Sequence, residues 1–361
     1  IILLRAGLNL NPKVLKKLSF VCLRLAFIPC IFEATAIAFV TYFLLSFSLI
    51  WGFLMGFVLA AVSSAVVVPR MLLLQEKKLG TNKGIPTLVM ASVCVDNVLA
   101  ITSFGVFLAI TFDNGSSLLW TIFKGPLEAV IGLLIGSLIG IVLWFFPYEQ
   151  QQCISKIKYQ RSALLILSGI FTIFASSKLN FNGSGALGCL TLSFVASLRW
   201  RSSNSFCSIE SILKMLWLFL QPFLFSLIGI QVKFENLQNG EIGYCLLALF
   251  IGLMIRILIS AVVVWGGNLN IKEKLFVGLS WSPKATVQAA IGPVALELAR
   301  DIGDEISINR ATLVLTIAVL SILITAPLGD VLVALTGTKL LEIEKVNKDD
   351  EGQTIQVISH L

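Results

Sequence analysis

Charge is scarce in this sequence. Only 13% of its 361 residues are Asp, Glu, Lys or Arg, while 57% are hydrophobic. A soluble domain carries about 25% charged residues, and a soluble chain of this length needs more polar surface than is available here. With a mean hydropathy of +0.92, the composition implies an all-α, polytopic membrane protein. Histidine is almost missing too: the single one, His360, lies in the tail. That excludes most hydrolase triads and histidine-based metal sites. The seven cysteines are scattered, with no CxxC pair, so neither a disulfide framework nor a zinc site is implied. No phosphate loop appears either, which argues against an enzyme and calls for no cofactor. The net charge of +7 would suggest nucleic acid for a soluble protein. Here the bases gather in links between apolar runs, where they set orientation in a bilayer, and no nucleic-acid partner is expected.

What the sequence does have is long apolar runs. A spanning helix needs about 20 such residues. Ten segments qualify or nearly so, at roughly 19–45, 49–75, 85–112, 126–147, 161–178, 185–200, 211–232, 241–266, 274–297 and 310–336. The start at Ile1, with "IILLRAG" resembling the end of an apolar segment, implies a chain lacking its N-terminal part. Residues 1–338 form one transmembrane unit on this reading, and 339–361 a polar cytoplasmic tail. Links rich in Lys and Arg alternate with poor ones along most of the chain. Lys13, Lys16 and Lys17 precede the first full segment, Lys77, Lys78 and Lys83 follow the second, and Lys272 and Lys274 precede the ninth. Both ends then lie on the cytoplasmic side. Two Asn-Gly-Ser sequons, at Asn114 and Asn182, fall on links assigned to the outside.

Several charges sit near segment ends, within reach of the interface: Arg24, Arg70, Glu128 and Asp330. Four others lie deep: Glu33, Asp96, Arg256 and Lys284. Each is about 10–15 residues inside its segment, roughly 15–22 Å from one surface of a core about 30 Å thick. A charge there costs about 2.5–3.5 kcal/mol on the mildest scale. Two acids and two bases at one depth can offset that cost by pairing, and static salt bridges between helices are the simplest outcome.

Two segments look broken. The second carries "VSSAVVVPRM", with Ser63, Ser64 and Pro69, and the ninth carries "LSWSPKATVQAAIGP", with Pro283 beside Lys284 and Thr286 just beyond. Proline removes a helix hydrogen bond and frees a carbonyl, and the neighbouring hydroxyls offer further oxygens. The charge alternation makes these two segments antiparallel. Two interrupted helices in opposed directions are what an inverted-repeat transporter places around its site.

Several stretches together resemble the animal sodium/proton antiporters of the NHA type, from about Arg5 to Lys339: "LGTNKGIPTLVMAS…DNVLAI", "VSSAVVVPRMLLLQ", "QPFLFSLIG" and "SWSPKATVQAAIG". The resemblance implies an antiporter fold in which two interrupted helices cross at the ion site. A core domain moves against a dimerisation domain in elevator-like alternating access. It implies sodium or lithium ions and protons as substrates, a homodimer, and residence at the plasma membrane, with internal membranes as the alternative. It makes Asp96 and Asn97 the ion-binding and proton-carrying positions, with sodium at Asp96. Lys284 becomes the competing internal cation, Glu33 and Arg256 a modulating ion pair, and Ser63, Ser64 and Thr286 the polar lining of the interrupted helices.

Three positions depart from the family pattern. The second of the family's two adjacent aspartates is Asn97 here, a common acidic residue after "LIG" is Gln231, and the proline of the family's "VSPAVVVP" is Ser64. Asparagine can offer sodium a carbonyl oxygen but cannot take up a proton near neutral pH. Asp96 alone would carry both ion and proton, which favours a one-for-one, electroneutral exchange. The competing expectation is a transport-inactive homologue that serves as a partner or regulatory subunit.

Overall fold

A computed structural model describes residues 1–112, 118–146, 154–179, 181–201, 206–230 and 241–343. The expected tail beyond 343, Gln231 and Asn114 lie outside these residues. The described chain is helical apart from one isolated bridge, Leu79 to Ile343. A short helix α1 (Ile2–Asn9) leads into α2 (Pro12–Leu45). The next segment is split into α3 (Leu49–Ala60) and α4 (Ser64–Glu76), and α5 (Ile85–Phe112) follows. Then come α6 (Leu118–Phe145), α7 (Ile154–Lys178), α8 (Asn182–Trp200), α9 (Phe206–Ile230) and α10 (Glu241–Val263). A second split segment gives α11 (Ile271–Ser280) and α12 (Thr286–Ile291), and α13 (Val294–Ile302) and α14 (Glu305–Leu340) close the order.

Among the described residues, seven segments are long and apolar enough to cross a membrane. They are Pro12–Leu45, Leu49–Glu76, Ile85–Phe112, Pro126–Phe145, Ile157–Lys178, Gly243–Val263 and Glu305–Leu340. The other three expected crossings correspond to α8, α9 and the α11–α12 pair. Outward faces carry large apolar side chains such as Phe43, Leu138, Phe174, Phe219 and Phe250. Lipid, not water, suits such a surface, and the protein is an integral multi-pass membrane protein.

The helices sort into two packed groups. One apolar core joins α1 to α6–α9 through Leu4, Leu8, Leu165, Leu192 and Leu213. Two larger cores hold α2–α5 against α10–α14, and the first of them also takes in Ala6 of α1 and Leu187 and Leu190 of α8. In that second group the pattern of helix, broken helix, helix occurs twice: α2, α3–α4, α5 and α10, α11–α12, α14. Two of the basic links meet on one side. The Gly80 N–H donates to the Glu342 carbonyl at 2.9 Å, Asn270 Nδ2 to Glu342 Oε1 at 3.0 Å, and Lys83 Nζ to Glu273 Oε2 at 2.8 Å. On the opposite side, Arg310 stacks over Phe47 in the base-poor α2–α3 link.

Four expectations need correction. The ninth segment does not run on to 297: the chain turns at Gly292-Pro293 and starts the separate helix α13. That helix buries Ala295, Leu296 and Ala299 and carries the Arg300 and Asp301 that blurred the charge alternation there. The last helix is correspondingly longer, starting at Glu305 with the Asp304 carboxylate accepting from the Ser307 N–H at 3.1 Å. Asn182 opens α8 and is not in a free link. Glu128 is buried, although its place near a segment end suggested the interface.

In α6, Gly132, Gly136 and Gly140 recur every fourth residue and lie flat against α8. A Cβ added to Gly136 would fall 2.5 Å from the Gly188 carbonyl oxygen. Small residues let helix backbones approach in this way where lipid supplies no hydrophobic drive. Gly136→Val should therefore force α6 from α8 and lower the melting temperature in detergent, since overpacking costs about 1–3 kcal/mol. Gly105→Ala, where no atom lies within 4 Å of the added carbon, should leave it unchanged.

Candidate functional site

A break inside a membrane helix leaves backbone groups without partners, and each must be satisfied from elsewhere in the protein. The two breaks satisfy one another. The Ser63 N–H, in the gap between α3 and α4, donates to the Pro283 carbonyl in the gap between α11 and α12 at 2.8 Å. This contact is where the two interrupted helices cross. Gln288 of α12 donates Nε2 to the carbonyls of Val58 at 3.1 Å and Ala61 at 2.7 Å, at the end of α3. The Arg256 guanidinium, from α10, donates to the Ala60 carbonyl. In the second break, the Lys284 N–H donates to Thr325 Oγ1 of α14 at 2.9 Å. Pro283 itself fills a notch in α14, where a Cβ on Gly329 would come 2.7 Å from the proline ring.

Pro69 does not make the first break. It sits inside α4, whereas the gap spans residues 61–63, with Ala61 and Ser63 in extended backbone. Three consecutive residues that leave the helix for tertiary partners make the gap, and proline marks only the second one.

All four deep charges meet at this crossing, and each is fully shielded at 0% exposure. Arg256 holds both acids: Nη1 donates to Glu33 Oε2 and Nη2 to Asp96 Oδ1, each at 2.6 Å. Lys284 Nζ donates to Glu33 Oε1 at 2.8 Å and Oε2 at 2.9 Å. The Val62 N–H, inside the first break, donates to Asp96 Oδ2 at 3.2 Å. Two separate salt bridges were the simplest expectation, with Lys284 facing Asp96. Instead the four residues form one chain, Lys284–Glu33–Arg256–Asp96. Glu33 on α2 takes the lysine of the second break, while Asp96 on α5 faces the first break.

The remaining expected residues lie around this chain. Asn97 is buried, and its Oδ1 has no hydrogen-bond partner among the described residues. The same holds for Ser63 Oγ and for Gln288 Oε1. Ser64 is the first residue of α4 and Thr286 the first of α12, the latter half-buried. The crossing therefore holds one carboxylate in contact with the break, flanked by enclosed oxygens whose lone pairs are unused. Such an arrangement can take up either a proton or a small hard cation, whose ligands of choice are oxygens.

Two members of the site escaped the sequence reading. Gln288 lies four residues after Lys284 in an apolar run, so an amide at that depth was the signal that marked it. Thr325 gave no signal, because a threonine in an apolar helix ordinarily bonds its own backbone, and this one also donates to the Ser321 carbonyl at 2.7 Å.

Arg256→Met would strand the buried Asp96 carboxylate and a helix-end carbonyl, while Glu33 keeps Lys284. Removing one partner of a buried pair costs about 3–5 kcal/mol, so this variant should melt well below wild type in detergent. Adding Asp96→Asn to it should recover part of the loss, whereas adding Glu33→Gln, which strands Lys284, should deepen it. Gln288→Leu should cost about 1–3 kcal/mol for the carbonyls it strands, read in the same melting assay.

The sequence pattern of the family described as sodium/hydrogen exchanger, transmembrane, matches residues 1–336. The chain is 46% identical over 342 residues to sodium/hydrogen exchanger 9B2 of Xenopus tropicalis, covering 95% of this chain and 62% of that protein. It is 44% identical over 354 residues to sodium/hydrogen exchanger 9B2 of Homo sapiens, covering 98% of this chain and 65% of that protein. Sodium/hydrogen exchanger 9B1 of Mus musculus is 44% identical over 347 residues, covering 96% and 60% respectively. The chain thus spans less than two thirds of the length of these relatives. Its fold is that of the sodium proton antiporter MjNhaP1 from Methanocaldococcus jannaschii, with a TM-score of 0.74 at 21% identity over 96% of this chain and 84% of that one. The crossed broken helices, the antiporter fold and the matched length agree: the chain belongs to the sodium/hydrogen exchanger family.

Proposed function

We propose that this chain is the exchanging unit of a secondary antiporter that trades sodium or lithium ions for protons by alternating access, working as a homodimer. The observation that carries this reading is the position of Asp96. Of the two deep carboxylates it is the one that accepts a backbone N–H from the gap of an interrupted helix, that of Val62, and it is fully enclosed. A carboxylate in that place holds a proton or a cation, not both, and competition between the two couples their movements. Asn97 Oδ1 and Ser63 Oγ are the neighbouring oxygens with free lone pairs, and they suit a desolvated sodium ion.

Charge decides the stoichiometry. With all four deep residues ionised, the cluster is neutral. Protonated Asp96 and sodium-bound Asp96 each leave it with the same single positive charge. The moving unit therefore carries equal charge in both directions, and one proton exchanges for one cation without net current. Arg256 must release Asp96 Oδ1 for the cation to enter, while its bond to Glu33 holds it in place. Lys284, neutralised by Glu33, keeps a second positive charge away from Asp96. Glu33 and Arg256 thus modulate the carrier and do not bind the ion.

Asn97 favours a second reading: a transport-inactive partner subunit with an intact scaffold. Sodium-driven proton flux in proteoliposomes of the full-length protein separates the two. Exchange predicts flux in wild type that is insensitive to membrane potential and lost in Asp96→Asn. In Asn97→Asp the second carboxylate should make the flux voltage-sensitive. Silence in wild type with flux in Asn97→Asp would instead establish the inactive-subunit reading.

A further inference from the structure

A cavity of about 390 Å³ opens beside the crossing, between α1, α4, α9 and α14. It falls within the range of small-ligand pockets, about 300–1,000 Å³. Ala65 and Val66 of its wall directly follow the first break. Val66 also packs with Ala285, next to Lys284, so one layer of side chains separates the cavity from the charged chain.

Its charged lining is mostly cationic: Arg5, Arg70 and Lys214 against Asp330. Two of the cations are already matched. Arg70 pairs with Asp330, and Lys214 Nζ lies 2.7 Å from Glu76 Oε1. Arg5 is not. Its residue is only 4% exposed, its side chain has no ion pair or hydrogen bond to a described residue, and its Nε is enclosed without a partner. The acids in its electrostatic surroundings are Glu210 and Glu76. Both are engaged, Glu210 by Asn9 Nδ2 at 3.1 Å and Glu76 by Lys214. A second enclosed donor on the wall, Trp217 Nε1, also lacks a partner. A buried guanidinium without an anion is costly, and its planar fork fits phosphate oxygens.

Apart from Gln221, the rest of the wall is apolar. Leu73, Leu218 and Pro327 lead from the charged end to the outer surface, where Leu218 and Leu328 are each 62% exposed. Arg70 lies six residues from the end of α4, about 9 Å along the axis at ~1.5 Å per residue, on the side of the basic links. A charged end at that depth joined to a lipid-facing apolar slope fits one kind of ligand. We propose that this cavity binds an anionic membrane lipid. The phosphodiester, with its single charge, sits on Arg5 and Trp217 Nε1, and an acyl chain runs along Leu73 and Leu218. The proposal does not depend on the exchange activity.

The test is the melting of the full-length protein in detergent with added phosphatidylglycerol, phosphatidylcholine or inorganic phosphate. Phosphatidylglycerol should raise the melting temperature, and the other two should not. Its half-saturating concentration should rise about tenfold in Arg5→Gln and by a smaller factor in Trp217→Phe, which keeps the packing and removes the donor. Leu73→Trp, which narrows the mouth without touching a charge, should also weaken the response and covers the case of an Arg5 variant that does not fold. The double variant Lys16→Gln, Lys17→Gln, on the basic surface away from the cavity, should respond as wild type. An equal response to phosphatidylcholine would overturn the proposal, as would a phosphatidylglycerol response indifferent to all three cavity variants. A response to inorganic phosphate matching that to phosphatidylglycerol would overturn the lipid and assign the cavity to a free anion.

Discussion

The structure depends on how Arg256 is held. Its guanidinium ties the acid of α2, the acid of α5 and the last carbonyl of α3 into one unit at a depth where no water competes. The requirement behind this is the absence of solvent for backbone groups in a bilayer core. A helix can stop in mid-membrane only if its orphan carbonyls and N–H groups find protein partners. Here Arg256 and Gln288 cap the end of α3, Asp96 receives the Val62 N–H of the gap, and the two gaps share the bond from Ser63 to Pro283. The groups that make the break tolerable are the same groups that give it chemistry.

This double use explains the arrangement of the repeats. One broken helix would need a dedicated set of polar partners from unbroken neighbours. Two broken helices in opposed directions bring their gaps together and supply each other. The unbroken helices α2, α5, α10 and α14 then contribute one polar residue each: Glu33, Asp96, Arg256 and Thr325. Among the described residues, the other group, α6–α9 with α1, contributes no side chain to the hydrogen-bonded network at the crossing. It packs through glycines and leucines, and the cavity lies where it meets α4 and α14.

Substituting asparagine at position 97 leaves this network intact, because the network runs through Asp96. The amide supplies an oxygen without a charge, and that oxygen has no partner in the network among the described residues, so the fold does not depend on it. The fold and the activity are separable at that residue, which is why membership of the family does not by itself decide between exchange and a silent partner.

Much of this was legible in the sequence, and the reason is thermodynamic. Apolar runs near 20 residues, the alternation of basic links and four charges at one depth are each dictated by the cost of polar groups in hydrocarbon, a cost that each segment meets by itself. That fixed the helical, membrane-spanning class, the split of the second and ninth segments, and Glu33, Asp96, Arg256 and Lys284 as the residues to examine. Pairing was a different matter. Which base meets which acid depends on the angles at which α2, α5 and α10 pass the crossing, and no spacing along the chain encodes those angles. Lys284 reaching Glu33, the first gap falling at 61–63 and not at Pro69, the turn at Gly292-Pro293, and the cavity around Arg5 were all decided by packing. Partners from other helices, most of them more than a hundred residues away in the sequence, there satisfied what the local chain left open.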